Sequence, residues 1–138
     1  FKLSYTGEVN GMPITDPQDV PDDIQWTTFS ARKWYSDNWA LTIKSADEQY
    51  TMVFDMRTGD SEANYIVSGE YAIGTSGHYI DGYYSEFNGN KNAYKEALLN
   101  IVYNETEQTY DIDFNVTLND DRNFTGTYSG VVAGSPAE

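Results

Sequence analysis

The sequence predicts an all-β domain, an antiparallel β-sandwich or β-barrel of about nine strands connected mostly as a meander. Three observations carry that prediction. Over residues 110–118, Tyr110, Ile112, Phe114, Val116 and Leu118 alternate with Asp111, Asp113, Asn115 and Thr117, a period of two that puts one strand face in a core and the other in water. Similar runs recur along the chain, separated by short polar turns such as Asn119–Asn123. Aromatics are abundant, with twelve Tyr, six Phe and three Trp, and large rings can fill the core of a thin β fold.

The elements follow in order. Phe1, Leu3, Tyr5, Gly7 and Val9 are in register, so 1–9 reads as a strand, closed by the turn signal Asn10-Gly11. Residues 13–23 hold three of the four prolines and four aspartates, and read as an extended loop. Phe29–Tyr35 reads as a strand and Ser36–Asn38 as a turn. Trp39, Leu41 and Ile43 form the inner face of the next strand. Tyr50, Met52, Phe54 and Met56 form another, after a turn at Ser45–Gln49. Arg57–Asn64 is polar, Tyr65–Ile73 reads as a strand, and His78–Phe87 as a strand or bulged pair broken by Gly82. Asn88–Asn92 reads as a loop. Ala93–Tyr103 mixes helix formers with a strand-like end, and is read as a strand from about Glu96, with one helical turn at 93–97 as the alternative. A hairpin over 110–132 follows, and 133–138 reads as a frayed tail.

At 138 residues the chain reads as one all-β domain over 1–138. Eight Lys and Arg against 22 Asp and Glu give a net charge of −14, which argues against nucleic acid and anionic membrane surfaces as partners. The absence of cysteine removes disulfides, thiolate metal sites and a Cys nucleophile from these residues. The first residue is Phe1, so these read as residues of a mature or trimmed chain, with any export or lipidation signal upstream.

Two internal echoes are present. Tyr50–Met56 followed by Val67-Ser-Gly69-Glu-Tyr71 resembles Tyr110–Val116 followed by Phe124-Thr-Gly126-Thr-Tyr128. A glycine one pleat before a tyrosine leaves room for a neighbouring aromatic to lie across the sheet. Phe1–Val9 likewise resembles Phe124–Val132. Residues 1–9 are therefore either a related strand of this domain or the closing strand of a preceding copy in a tandem array.

The order Asn38-Trp39, Tyr50–Asp55, Ser68–Tyr71, Tyr110–Phe114 and Phe124–Gly130 resembles β-rich, sometimes tandem, domains of secreted Bacteroidetes lipoproteins of undefined function. The resemblance runs from about Trp34 onward and rests on structural motifs. It implies export to the periplasm or cell surface, with membrane attachment only through an upstream lipid anchor. It brings no catalytic residues.

His78 is the only histidine and there is no Gly-x-Ser-x-Gly elbow, so no nucleophilic triad stands out, and His78 reads as a solvated residue at a strand start. Carboxylate pairs are inevitable among 22 acids, and those on strands sit mainly at outward positions. No catalytic residue is assigned, and the chain is read as a non-enzyme, glycoside hydrolysis being the remaining enzymatic alternative. Asp16, Asp19, Asp22 and Asp23 are the candidate oxygen ligands for Ca²⁺, without the EF-hand spacing; a plain solvated loop is the competing reading, and no cofactor is otherwise expected. Trp39 shares the phase of Leu41 and Ile43 and reads as core. Trp26, Trp34, Tyr35, Asp37, Tyr83 and Tyr84 are the candidate ligand-binding residues, because sugar rings stack on exposed aromatics while acids and amides accept hydroxyl protons. The expected function is a non-catalytic binding module with carbohydrate as ligand. The alternative is a structural or adhesion module of a tandem array with surface-protein partners, which would bury all three Trp.

Overall fold

The computed structural model describes residues 20–21 and 23–137, and the backbone of 8–9 and 12–13. The strands are β1 (Glu8–Val9), β2 (Met12–Pro13), β3 (Trp26–Tyr35), β4 (Asn38–Ser45), β5 (Thr51–Arg57), β6 (Gly69–Ile73), β7 (Tyr79–Phe87), β8 (Asn90–Lys91), β9 (Tyr94–Asn104), β10 (Thr109–Leu118) and β11 (Asn123–Gly130). No helix occurs among the described residues. β1 and β2 form their own two-stranded ladder, with Val9 opposite Met12. The remaining strands form one sheet in the order β11-β10-β9-β6-β7-β5-β4-β3, with β8 paired to β7.

That sheet curls into a nearly closed barrel. Its two end strands meet at a seam. Trp26 on β3 donates its indole N–H to Thr125 O at 3.2 Å, and Phe29 stacks on Tyr128 at 4.0 Å between centroids. Beyond β11 the chain crosses to β3. Ala133 pairs in parallel with Ser30, Ala31 N–H donates to Ala133 O at 2.7 Å, and Ala133 N–H donates to Phe29 O at 3.1 Å. Residues 133–137 are therefore not a frayed tail. Ser135 is buried and shares a hydrogen bond with the Tyr110 hydroxyl at 2.5 Å. Ala137 is held through backbone and side-chain bonds with Asn64.

The period-two pattern appears as alternating burial along β4, β5 and β10. Their inner residues, Trp39, Leu41 and Ile43, Met52, Phe54 and Met56, and Tyr110 to Leu118, join one core. Every adjacent pair in the sheet is antiparallel except β6 and β7, which run parallel over Ala72↔Tyr79 and Ile73↔Ile80. β6 is inserted between β7 and β9, the one departure from the meander. The expected strand over 65–73 shortens to β6, because residues 65–68 are engaged by other groups. Ile66 N–H donates to the Tyr110 hydroxyl, Tyr71 OH to Val67 O, and Tyr103 N–H to Ser68 Oγ.

The echo between 50–73 and 110–132 is a packing echo, not a repeated hairpin. β10 and β11 pair with Phe114 opposite Gly126, whereas β5 and β6 are not neighbours. Both glycines nevertheless make room for a ring. A Cβ on Gly126 would lie 2.6 Å from Phe114, and one on Gly69 would lie 2.7 Å from the His78 imidazole. The ambiguous segment 93–103 is strand from Tyr94 onward, part of β9 (Tyr94–Asn104), without a helical turn. Residues 1–7 lie outside the described residues.

Candidate functional site

The wall made by β3, β4, β5, β7 and β8 carries the exposed aromatics, and two irregularities place them there. On β3, Lys33 pairs with Trp39 and Tyr35 with Asn38, so the register slips by one residue at Trp34. On β5 and β7, Val53 pairs with Glu86 but Asp55 pairs with Asp81, so three extra residues, Gly82, Tyr83 and Tyr84, stand out of the ladder. Bulges of this kind re-aim side chains.

The second bulge is built from local chemistry. The Asp81 carboxylate accepts the N–H groups of Tyr83 and Tyr84 at 3.1 and 3.3 Å. Ser85 Oγ donates to Asp81 O and accepts the Asp55 N–H that the bulge would otherwise leave without a ladder partner. Asn92 N–H donates to the carbonyls of Tyr83 and Ser85 from the other side. Gly82 permits the close approach, since a Cβ there would press on Ile73 at 3.2 Å.

Between the two bulges lies an open groove of about 330 Å³. Trp34, Tyr35 and Tyr84 contribute rings, Ala40 and Val53 a flat floor, and Asn38, Asp55, Glu86 and Lys91 the polar groups. Trp34, Tyr35, Tyr83 and Tyr84 are 52, 62, 60 and 52% exposed, unusual for large rings in a domain with a full core. Each groove ring has a cation beside it. The Arg32 guanidinium lies 3.8 Å from the Trp34 centroid, Arg57 5.4 Å from Tyr35, and Lys91 Nζ 5.1 Å from Tyr84. Three of the chain's eight Lys and Arg residues thus brace these rings.

Asp55 is the acid at the groove floor. Asn38 Nδ2 donates to its Oδ1 at 2.8 Å. Burial raises the Asp55 carboxyl above the ordinary carboxylate range, and the Asp81 charge adds to this, while Asn38 and Arg57 oppose it. Asp37 has a different task. It accepts Arg57 Nη1 at 3.2 Å and the Gly59 N–H at 2.8 Å, tying the β3–β4 turn to the end of β5. Burial is the largest single influence on it and works against its charge. Gly59 and Arg57 together outweigh burial and hold its carboxyl below the usual range.

Of the residues expected at a ligand site, Trp34, Tyr35 and Tyr84 come together, and Tyr83 forms the rim, edge-on to Tyr84 at 4.9 Å. Asp37 lies behind Tyr35 as a brace. Trp26 does not join them. It sits eight residues along β3, about 26 Å away in an extended strand, half-buried at the seam against Phe114 and Phe124. Trp39 is fully buried, as its phase predicts. Asp16, Asp19 and Asp22 lie outside the described residues, and Asp23 is an exposed turn residue. Among the described residues no group of three or more His, Asp or Glu is arranged to hold a metal. His78 is exposed, and its Nδ1–H donates to Thr58 O at 2.7 Å.

Reading the sequence missed Asp55, Asp81, Glu86 and Lys91. A signal for two of them was present. Asn88-Gly89 is a two-residue hairpin turn, with φ of 50° and 85°, and it sets Phe87 opposite Asn90 and Glu86 opposite Lys91. Compared with protein-family models, with curated proteins and with solved structures, the chain finds no match.

Proposed function

We propose that this domain is a non-catalytic glycan-binding module and that the groove between the two bulges is its binding site. The observation that carries the reading is the pair of register slips, at Trp34 and at Gly82–Tyr84, that turn exposed rings onto one wall beside Asp55 and Glu86. Rings offer flat apolar faces to the C–H side of a sugar, and the Asp55 and Glu86 carboxylates lining the groove can accept hydroxyl protons. The groove is open along the wall, which suits an internal stretch of a polymer. Export and an upstream lipid anchor fit this reading and rest on the resemblance to secreted lipoproteins. The alternative, a protein-binding module of a tandem array, carried the expectation that all three Trp are buried, and Trp34 is half exposed.

The test is a screen of neutral polysaccharides by affinity electrophoresis, then calorimetry on any hit with Trp34→Ala. A central aromatic of a binding site is worth more than about 1.4 kcal/mol, or tenfold in affinity. The expected result is a loss of at least that size with an unchanged melting temperature. Undiminished binding by Trp34→Ala would refute the site.

A further inference from the structure

We infer that Asp55 makes this groove selective for uncharged glycans over those bearing carboxylate or sulfate groups. The inference rests on the glycan-binding reading and names the class of ligand. An anionic sugar needs a free guanidinium or ammonium to receive its charge. The groove has three nearby cations, each lying over one of its rings, and one of them, Arg57, is also ion-paired. Arg32 lies on Trp34, Arg57 is paired with Asp37 and donates to the Tyr35 hydroxyl, and Lys91 sits opposite Glu86 and against Tyr84.

The acids are placed differently. Asp55 has its one side-chain hydrogen bond from the neutral Asn38 amide, and it makes no ion pair among the described residues. Its register partner across the β5–β7 ladder is another acid, Asp81. A hydroxyl donor arriving between Trp34 and Tyr84 meets an acceptor. A carboxylate or sulfate arriving there meets a like charge in a partly dehydrated setting, where such juxtaposition is strongly unfavourable. Specificity built by repulsion of the wrong ligand is a common device.

The experiment uses matched polymers that share a backbone and differ in charge: hydroxyethylcellulose against carboxymethylcellulose, and fully methyl-esterified against de-esterified polygalacturonate. Binding is measured by calorimetry at physiological salt and again at about 1 M NaCl. At that salt the Debye length is about 3 Å and the general repulsion of a −14 protein is screened. Two variants are compared. Asp55→Asn keeps an oxygen to accept from Asn38. Asp113→Asn, on the outer face of β10 opposite Asn100 and Thr127, removes the same charge away from the groove and serves as the control.

The expected result is at least about tenfold tighter binding of a neutral member over its charged counterpart. The preference persists at high salt, narrows severalfold in Asp55→Asn, and is retained in Asp113→Asn. Equal or tighter binding of the charged member by the native protein would overturn the inference and leave the glycan reading intact. So would equal narrowing in the two variants. Failure of all four polymers and of the neutral screen would overturn the reading and the inference together.

Discussion

Gly134→Ala is the substitution that bears most directly on how the barrel closes. Gly134 has φ of +83°, and a Cβ there would lie 2.1 Å from Ala31 O, a backbone atom of β3 that cannot step aside. The left-handed conformation alone costs a non-glycine residue about 1 kcal/mol. The clash forces the chain off β3, which breaks the two backbone bonds between Ala133 and β3 at 2.7 and 3.1 Å, each worth about 1 kcal/mol net. It also draws the buried Val132 toward water, a further loss of about 1.5 kcal/mol. The unfolded chain is stiffened by the added methyl, which returns about 0.5 kcal/mol. The expected net loss is about 4 kcal/mol, a large part of the 5–15 kcal/mol typical of a domain. Urea unfolding followed by tryptophan fluorescence measures it, with Trp26 and Trp39 as reporters of seam and core. A loss below about 0.5 kcal/mol, the scale of an ordinary surface change, would refute the claim that residues 132–135 close the barrel.

Further outcomes follow from the same geometry. Asp81→Ala removes the acceptor for the Tyr83 and Tyr84 N–H groups, so polysaccharide binding should fall at least about fivefold, while the melting temperature drops by only a few degrees; calorimetry and thermal unfolding on one preparation separate the two effects. At alkaline pH, burial pushes the Tyr110 hydroxyl up to about 12, opposed by its bonds to Ser135 and Ile66. Tyr71 and Tyr94 are raised further, chiefly by burial. Because the folded state favours the neutral phenols, their stabilising contribution is complete below about pH 10, the unfolded value, and is lost as pH rises through about 12. Absorbance at 295 nm should therefore reveal a late-ionising group of tyrosines whose titration coincides with loss of the near-ultraviolet circular dichroism, and early, complete ionisation in the folded protein would contradict their burial.

The fold was legible because its strands are amphipathic. Residues 39–43, 52–56 and 110–118 each alternate so regularly that phase alone identified the core, including Trp39. The insertion of β6 was not legible. Its residues look like those of any other strand, and its neighbours are chosen by contacts that span the chain, such as Tyr110 with Ile66 and Tyr103 with Ser68. The docked tail was obscured for a similar reason. Gly134, Ser135 and Pro136 have the composition of a loose end, and only the approach of β3 gives Gly134 its task. In the site, exposed rings were recognisable as candidates, but Trp26 and Trp34 differ only in what faces them. Asp55 was hidden because its neighbours depend on cross-strand register and on the extra residues in β7.

The central claim is that a glycan lies across the groove beside Trp34. Acrylamide quenching during a titration with a neutral polysaccharide tests it most directly. Trp39 is buried and Trp26 half-buried, whereas Trp34 is half exposed, so Trp34 should supply most of the quenchable emission. Saturating ligand should suppress that quenching, and Trp34→Phe should lack the suppressible component. Binding that leaves the quenching of Trp34 unchanged would place the glycan elsewhere and contradict the account.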